Sequence, residues 1–293
     1  MAHIPVLLQP SLDGLALESG DVFVDGTFGG GGHSLEVARR FGDKVTIIGI
    51  DLDQTSLDAA VSHVSKFSKN VVALSGNFRN MDTLVGRQVN KILLDLGTSS
   101  MQIDDSGRGF TFRKKEPLLM TLASPITPDT LTAREIVNEW DVENLITIIR
   151  GFGEERYAAR IAHAIGEARE QKPIETTFDL VEIIDRATPA SYKHGRIHPA
   201  TRTFQALRIA ANDELNALQQ GLAAGWKILA PGGRMAVISF HSLEDRIVKQ
   251  YFNTLIAADE AERVTRKPIM PSDEEKETNP RSRSAKLRVI QKR

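Results

Sequence analysis

The first half of the chain alternates short apolar runs with amphipathic stretches. Residues 22–25, 45–50, 71–74 and 91–95 are apolar runs of strand length, and the segments between them have helical spacing. Strands that alternate with helices in this way pair in parallel, and the helices cover both faces of the sheet. The sequence therefore predicts an α/β fold with a doubly wound, parallel sheet.

This alternation stops in the middle of the chain. Between about residues 104 and 198, helical patterns and prolines occur without a convincing buried strand. Helices are predicted at residues 132–140, 142–151, 154–170 and 176–187. We therefore predict an α/β domain formed by residues 1–103 and 199–293, interrupted by a helical insert at residues 104–198.

The α/β pattern resumes after the insert. The sequence predicts a long helix at residues 203–229, a strand at 234–240, a helix at 243–255 and a last strand at 285–290. The last 13 residues hold six basic residues and no acid. They suit an edge strand with outward basic side chains, in which Arg281 and Arg283 are candidate RNA contacts. Ordinary protection of a sheet edge by charge is an equal alternative.

Composition excludes several classes of protein. The 293 residues include no cysteine, which excludes disulfide scaffolds, thiolate metal sites and cysteine nucleophiles. Lys and Arg number 37 against 38 Asp and Glu, so any nucleic-acid contact must come from local basic patches. No apolar run approaches the roughly 18 residues of a membrane span, and no secretory signal is visible. We expect a cytoplasmic protein without a membrane segment.

A glycine-rich turn follows the first predicted strand. Residues 25–33 place exposed backbone N–H groups and a helix N-terminus at the carboxyl end of that strand, where a doubly wound sheet binds nucleotides. Asp51 follows Gly29 by 22 residues, close to the spacing of a carboxylate that holds a ribose. Ser34 or Leu35 falls where a dinucleotide fingerprint needs a third small residue, which favours S-adenosylmethionine. The alternative is a plain tight turn.

A second polar segment, residues 95–100, follows the fourth predicted strand at the edge of the same crevice. A transferred group would meet its acceptor here, and the small residues would let a planar substrate lie against the backbone. A helix N-cap by Thr98 or Ser99 is the alternative.

Basic residues cluster in an acid-free stretch, residues 186–212, with five Lys or Arg and two His. His198 and Arg202 are candidate phosphate contacts there, with a solvated basic face as the alternative. His241, after the penultimate predicted strand, could contact a base, although a buried capping role is commoner. Arg156 and Arg160 share a face of the predicted helix at 154–170, a pattern typical of a solvated face.

Eight segments together resemble one known family. They are residues 3–8, 25–34, 95–100 with Gln102, 108–110, 153–156, 198–208, 239–246 and 279–288. In this order they resemble the bacterial 16S ribosomal RNA cytosine-N4 methyltransferases, over the whole chain. The resemblance implies a Rossmann-like class I S-adenosylmethionine methyltransferase domain interrupted by a helical substrate-recognition insert.

The resemblance also implies a cofactor, a substrate and a set of contacts. S-adenosylmethionine contacts are expected at Gly31, Gly32, His33, Asp51, Phe78, Asp95 and Gln102. The expected target is cytidine 1402 in the decoding centre of 16S rRNA, in the assembled or nearly assembled small subunit. Whether the chain is a monomer or a homodimer stays open.

The chemistry expected of such an enzyme is positioning, because the sulfonium donor is already a strong electrophile. The Asp95 carboxylate, or a backbone carbonyl of Leu96, Gly97 or Thr98, would accept a hydrogen of the N4 amine. The target base must be unstacked into the crevice. This chemistry needs no metal. The alternatives are a noncatalytic RNA-binding assembly factor and a nicotinamide-dependent oxidoreductase.

The chain departs from the family pattern at residues 117–122. Where the family typically shows Pro-Leu-Asp-Met-Arg-Met, this chain has Leu119 and Thr121 in place of the acid and the base. Loss of both charges together indicates that they are partners, since removing one alone strands the other. We predict a repacked junction between the insert and the α/β domain, with activity retained.

Overall fold

The computed structural model describes residues 4–97, 106–195 and 197–293. The chain divides into two compact units. Unit 1 comprises Met1–Gly97 and Leu215–Arg293, and unit 2 comprises Thr98–Glu214. Among the described helices, none combines the length and the apolar character that a bilayer span requires.

Unit 1 is built on one seven-stranded sheet. Its strands are β1 (Val22–Asp25), β2 (Thr46–Asp51), β3 (Val71–Ser75), β4 (Val89–Asp95), β5 (Leu229–Ser239), β6 (Ala261–Arg263) and β7 (Lys286–Lys292). They lie in the order β3-β2-β1-β4-β5-β7-β6, and β3 to β5 are mutually parallel. The strand order reverses between β1 and β4, which opens a crevice at their carboxyl ends. The Rossmann-like α/β fold predicted from the sequence is confirmed.

The helices of the described residues follow in chain order. They are α1 (Leu8–Leu15), α2 (Gly32–Phe41), α3 (Gln54–Val64), α4 (Met81–Val85), α5 (Ala133–Glu139), α6 (Val142–Gly151), α7 (Ala158–Gln171), α8 (Thr177–Ala187), α9 (Ala190–Lys193), α10 (Ala200–Asn212), α11 (Glu214–Ile228), α12 (Ser242–Ala257) and α13 (Asp273–Thr278). Short 3₁₀ turns lie at Gly42–Lys44, Phe78–Asn80 and Pro280–Ser284.

Alternation along the central strands gives unit 1 two apolar layers. On β4, Ile92 and Leu94 pack in the cluster that holds Leu222 of α11 and Phe252 of α12. Leu93 faces the opposite cluster, with residues of α1, α2 and α3. Because successive side chains of a strand point to opposite faces, one run of apolar residues serves both layers.

The end of the sheet differs from the sequence prediction. The last strand, β7, lies between β5 and the short strand β6, and it pairs antiparallel with both. The expectation that β7 is an edge strand is therefore wrong, and β6 forms the edge. The predicted long helix at 203–229 is also two helices, because Asp213 takes a left-handed conformation with φ of 50° between α10 and α11.

Unit 2 is helical. Its apolar core joins residues of α5, α6, α7, α8 and α10, and side chains at the N-termini of α5 and α8 form capping boxes. Helix α10 belongs here because Phe204 and Leu207 pack in this core. The division between units therefore falls after residue 97 and after residue 214, whereas the sequence placed it after residues 103 and 198.

Candidate active site

Three aspartates end neighbouring strands at the crevice of unit 1. Asp25 ends β1, Asp51 ends β2 and Asp95 ends β4. The carboxyl ends of parallel strands meet at one edge of the sheet, so these side chains share that edge. Glu244, in the first turn of α12, follows the end of β5 and adds a fourth carboxyl group.

Asp51 holds the glycine-rich turn in place. Its Oδ2 accepts a hydrogen bond from the Gly29 backbone N–H at 2.7 Å, and its Oδ1 accepts one from the Asp53 N–H at 2.9 Å. Burial raises the pKa of Asp51, and these two hydrogen bonds counteract part of the shift. Each carboxylate oxygen can accept a further hydrogen bond. Asp51 therefore shapes the turn and can still accept a hydrogen bond from a ribose, the role predicted from the sequence.

The glycines of the turn serve different purposes. At Gly31, φ is +73°, and a Cβ would lie 3.0 Å from the Cβ of Ala60. At Gly32 a Cβ would lie 2.5 Å from Cγ of Pro5. These two predicted cofactor residues are therefore glycine for close packing. A Cβ at Gly30 would meet nothing among the described residues within 4 Å, so open backbone faces the solvent there.

The N-terminal segment packs against this turn and is tied to the end of the chain. Besides Pro5 at Gly32, the Val6 carbonyl lies 3.1 Å from Nε2 of His33. The Leu7 N–H donates to Oε1 of Glu275, just inside α13, at 2.6 Å. Residues near both ends of the chain thus brace the glycine-rich turn.

His33 and Asp95, two predicted cofactor residues, lie close to each other. The His33 side chain is 5% exposed, and its Nδ1 is 3.7 Å from Oδ2 of Asp95. The Asp95 N–H donates to Oγ1 of Thr27 at 2.7 Å, which ties β4 to the glycine-rich turn. The turn and the end of β4 therefore form one connected site.

One oxygen of Asp95 is shielded from solvent. The Asp95 side chain is 21% exposed, but Oδ1 is shielded from solvent and has no hydrogen-bond partner among the described residues. Burial raises the pKa of Asp95 well above its usual value, and the charges of Asp25 and Glu244 raise it further. A shielded oxygen in acidic surroundings suits a ligand that brings a hydrogen-bond donor or a positive charge.

Asp25 is a buried acid that the sequence reasoning placed in the turn without giving it a role. Burial raises its pKa from 3.8 to about 6, against a hydrogen bond from Oγ of Ser34 at 2.7 Å. The signal was present in the sequence, since an apolar strand run ends on this acid. Its effect on the charge of Asp95 depends on packing, which the sequence does not display.

His241 has the capping role. Its Nδ1 accepts from the Glu244 N–H at 3.4 Å, and Glu244 Oε2 accepts from the His241 N–H at 3.2 Å, a capping box at the start of α12. The His241 ring, which is also the candidate contact to a base, therefore already stabilises the start of α12.

The remaining predicted cofactor and acceptor residues lie on turns of unit 1. Phe78 packs against α11, where a Cβ at Gly221 would lie 2.3 Å from its ring. Leu96 is buried and donates its N–H to the Ile238 carbonyl at 2.9 Å, and Gly97 follows with φ of +103°. Gln102 and Thr98 lie outside the described residues.

The candidate RNA contacts are divided between the two units. In unit 2, His198 is exposed and stacks on Phe112, with ring centroids 4.7 Å apart, and Arg202 lies half-buried on α10. In unit 1, Arg281 and Arg283 are exposed on the 3₁₀ turn Pro280–Ser284. They therefore precede β7 and are not outward residues of a strand.

The sequence reasoning missed a cluster of aromatic and basic side chains in unit 2. The expected helix at 154–170 begins only at Ala158, so Arg156 precedes it and does not share a helical face with Arg160. Arg156 stacks over Tyr157 and Tyr192. The only hint in the sequence is the proximity of tyrosine and arginine at 156–157, because Tyr192 is distant along the chain.

Comparisons with known proteins cover the whole chain. The chain is 45% identical over 309 residues to "Ribosomal RNA small subunit methyltransferase H" of Symbiobacterium thermophilum, covering 99% of this chain and 96% of that protein. Proteins of the same name from Deinococcus radiodurans and Synechococcus elongatus are each 47% identical, covering 98% and 99% of this chain and 89% and 94% of their own lengths.

Among solved structures, an rRNA methylase from Streptococcus thermophilus matches with a TM-score of 0.46 and 12% identity over 99% of both chains. The sequence model of the MraW methylase family, by contrast, matches residues 1–293. With relatives above 40% identity over nearly the full length, this match is decisive: the chain belongs to the MraW methylase family.

Proposed function

We propose that this protein transfers a methyl group from S-adenosylmethionine to the exocyclic N4 amine of cytidine 1402 in 16S rRNA. A methylase of this family uses S-adenosylmethionine as its methyl donor. The names of its relatives support ribosomal RNA of the small subunit as the substrate. Family membership disfavours the nicotinamide oxidoreductase. The observation that carries the proposal is the shielded oxygen of Asp95 at the crevice, which has no hydrogen-bond partner among the described residues.

The residues around the crevice fit this donor. We assign the nucleoside of the donor to the open backbone at Gly30 and the carboxylate of Asp51, supported by the exposure of Gly30 and the spare acceptor capacity of Asp51. Gly31, Gly32, His33, Phe78 and Gln102 are the further proposed contacts. The acidic surroundings of Asp95 suit its positive charge. When bound, S-adenosylmethionine supplies a methyl group already activated by the sulfonium.

Asp95 has two tasks in the proposed reaction, to orient the amine and to take its proton. The N4 lone pair is delocalised into the ring, and a hydrogen bond from the N4 amine to Asp95 Oδ1 favours a pyramidal nitrogen. As the N–CH₃ bond forms and the S–CH₃ bond breaks, one N4 proton leaves to the Asp95 carboxylate. The backbone carbonyls of Leu96, Gly97 and Thr98 are the alternative acceptors. Only the ionised carboxylate can accept the proton, so the raised pKa makes the rate increase with pH.

Basic residues of both units contact the phosphates of the RNA. His198 and Arg202 of unit 2 and Arg281 and Arg283 of unit 1 are exposed or half-buried, as phosphate contacts must be. His241 is kept as a contact to the base. The cytidine must be unstacked from its neighbours before its amine can enter the crevice.

The test is methyl transfer from labelled S-adenosylmethionine to small subunits that lack this modification, followed by mass analysis of the nucleosides. We expect N4-methylcytidine at position 1402. Label at another nucleotide would contradict the target, and RNA binding without label would favour the noncatalytic assembly factor. Free 16S rRNA, tested in parallel, decides whether the assembled subunit is the substrate.

A further inference from the structure

In unit 2, an exposed arginine is held against two tyrosine rings. The guanidinium carbon of Arg156 lies 4.7 Å from the ring centroid of Tyr157 and 4.8 Å from that of Tyr192. The two rings meet edge to face, with centroids 5.0 Å apart. Arg160 approaches Tyr157 at 5.9 Å. We call Arg156, Tyr157, Arg160 and Tyr192 the tyrosine–arginine cluster.

The carboxylate of Glu155 accepts hydrogen bonds from both tyrosines. Glu155 is 1% exposed; its Oε2 accepts from the Tyr192 hydroxyl at 2.5 Å and its Oε1 from the Tyr157 N–H at 2.8 Å. Arg156 makes no ion pair with any of the described residues. The buried acid fixes the rings, and the rings fix the guanidinium, which keeps its hydrogen-bond donors for a ligand.

Further positive charge surrounds the cluster. Arg160 and Arg202 also have no ion pair within residues 4–97, 106–195 and 197–293. Burial and the carboxylate of Glu155 raise the pKa of the Tyr192 hydroxyl, and the positive charges of Arg202 and Arg156 counteract part of this rise. Three guanidinium groups that have no carboxylate partner in the described part of the chain attract an anion, and a planar guanidinium suits the two-point hydrogen bonding of a phosphate.

A groove between α7 and α8 begins at the same cluster. It has a volume of about 600 Å³ and shares Arg160 with the tyrosine–arginine cluster. Its floor includes Ala159, Ala164 and Ala187, and its rim carries His163, Glu167 and Arg186. Arg186 is paired with Glu182. The volume lies within the range of about 300–1,000 Å³ typical of small-ligand sites, and small apolar residues leave room for a flat ring.

We propose that the tyrosine–arginine cluster and this groove bind a single-stranded stretch of the RNA substrate, with a phosphate on Arg156 and a neighbouring unstacked base in the groove. The proposal rests on RNA being the substrate. Single-stranded RNA combines a phosphate backbone with bases that are free to leave the stack. The arginines match the phosphates, and the aromatic rings and the apolar groove match the unstacked bases. An acidic peptide would bind the arginines but would leave the apolar groove empty.

The phosphate contact is tested with the full-length protein and a fluorescently labelled single-stranded RNA of about 12 nucleotides. Arg156→Ala should raise the Kd about tenfold and flatten the plot of log Kd against log salt by about 0.7, one phosphate contact on a single strand. Arg156→Lys should keep most of the salt slope but recover only part of the affinity. Arg134→Ala, at an exposed arginine of α5 outside the cluster and the groove, is the matched control and should change the Kd by less than twofold.

The groove is tested with Ala164→Leu, which narrows the groove with a residue that favours helix. It should weaken RNA binding about fivefold without changing the salt slope, since no charge is lost. Melting curves check that each variant is folded, and S-adenosylmethionine affinity should stay at the wild-type value. Should Ala164→Leu fail to fold, Ala159→Leu replaces it.

An unchanged Kd and salt slope for Arg156→Ala would overturn the phosphate contact, and poly-glutamate that binds more tightly than an RNA of equal charge would overturn RNA as the occupant. Neither result bears on the proposed function, which stands if wild-type protein methylates 16S rRNA. Conversely, wild-type protein that binds the RNA through Arg156 but transfers no methyl would refute the proposed function and leave this inference intact.

Discussion

Units 1 and 2 hold their charged groups in opposite ways. In unit 1 acids lie at strand ends, where burial raises the pKa values of Asp25, Asp51 and Asp95. In unit 2 an exposed Arg156 is held by aromatic rings without an ion pair among the described residues. Backbone geometry thus positions the acids, whereas side-chain stacking positions the arginine. Substitutions of these acids in unit 1 should therefore affect the cofactor and the chemistry, and substitution of Arg156 in unit 2 should affect RNA affinity.

The largest effect is expected at the shielded oxygen of Asp95 in unit 1. Asp95→Asn keeps the shape of the side chain but removes the proton acceptor, so single-turnover methyl transfer should fall about 10²- to 10⁴-fold. Asp58→Asn, at an exposed acid on α3, is the control and should be near wild type. Full activity of Asp95→Asn would show that a backbone carbonyl, and not the Asp95 carboxylate, accepts the N4 proton.

The next largest effect is expected in the core of unit 2. Thr121 is 2% exposed, so Thr121→Arg buries an unpaired charge and should lower the free energy of unfolding by about 3–5 kcal/mol. Leu119→Asp, at a half-buried side chain, should cost less, and the double variant should recover part of the loss. Thermal melts of all four proteins measure the coupling. Strict additivity would show that the two charges are not partners.

A third prediction concerns the pH dependence of stability in unit 1. The pKa of Asp25 is raised from 3.8 to about 6, so the folded state favours the neutral acid. Below pH 3.8 Asp25 is protonated in both the folded and the unfolded state, so its pKa shift does not reduce stability. As the pH rises to 6 the unfolded state ionises first, and the free energy of unfolding falls by about 3 kcal/mol. Asp25→Asn should abolish this loss. Parallel pH dependences of wild type and Asp25→Asn would contradict the raised pKa.

Asp51→Ala should weaken S-adenosylmethionine binding by about 1.5–3 kcal/mol, measured by calorimetry. Because Asp51 also accepts from Gly29, part of this loss comes from a looser turn. Asp51→Asn keeps one acceptor oxygen and separates the two causes. Wild-type affinity in Asp51→Ala would show that the ribose lies elsewhere.

The smallest effect is expected at the exposed basic turn of unit 1. Replacing Arg281 and Arg283 by alanine should weaken RNA binding and flatten its salt dependence, with cofactor affinity unchanged. The same measurement on Arg156→Ala compares the two units directly. An unchanged salt slope in the double variant would show that Arg281 and Arg283 do not contact RNA phosphates.

How far the sequence predicts this molecule follows from the range of the interactions. The edge where Asp25, Asp51 and Asp95 meet follows from apolar runs that each end in an acid, a local pattern. The three-residue strand β6 is too short to show periodicity, and the break between α10 and α11 occurs at Asp213, which is not a glycine. Both misses left the parallel strands unaffected.

The tyrosine–arginine cluster could not be predicted for a different reason. Tyr157 and Tyr192 are brought together by a hydrogen bond to Glu155 across 37 positions of sequence. In a helical pattern Arg156 is an ordinary solvent-facing residue, and only the start of α7 at Ala158 shows otherwise. The sequence therefore predicts a site built on a sheet edge better than a site built from side chains of separate loops.

The bracing of the glycine-rich turn has a consequence for protein synthesis. The turn leaves the ribosome early, but Leu7 of its supporting segment binds Glu275, and the Ile4 carbonyl accepts from Asn279 at 3.0 Å. The turn can therefore be locked only after Glu275 and Asn279 have been synthesised. A nascent chain that ends before Glu275 would carry the glycines and Asp51 yet lack this brace.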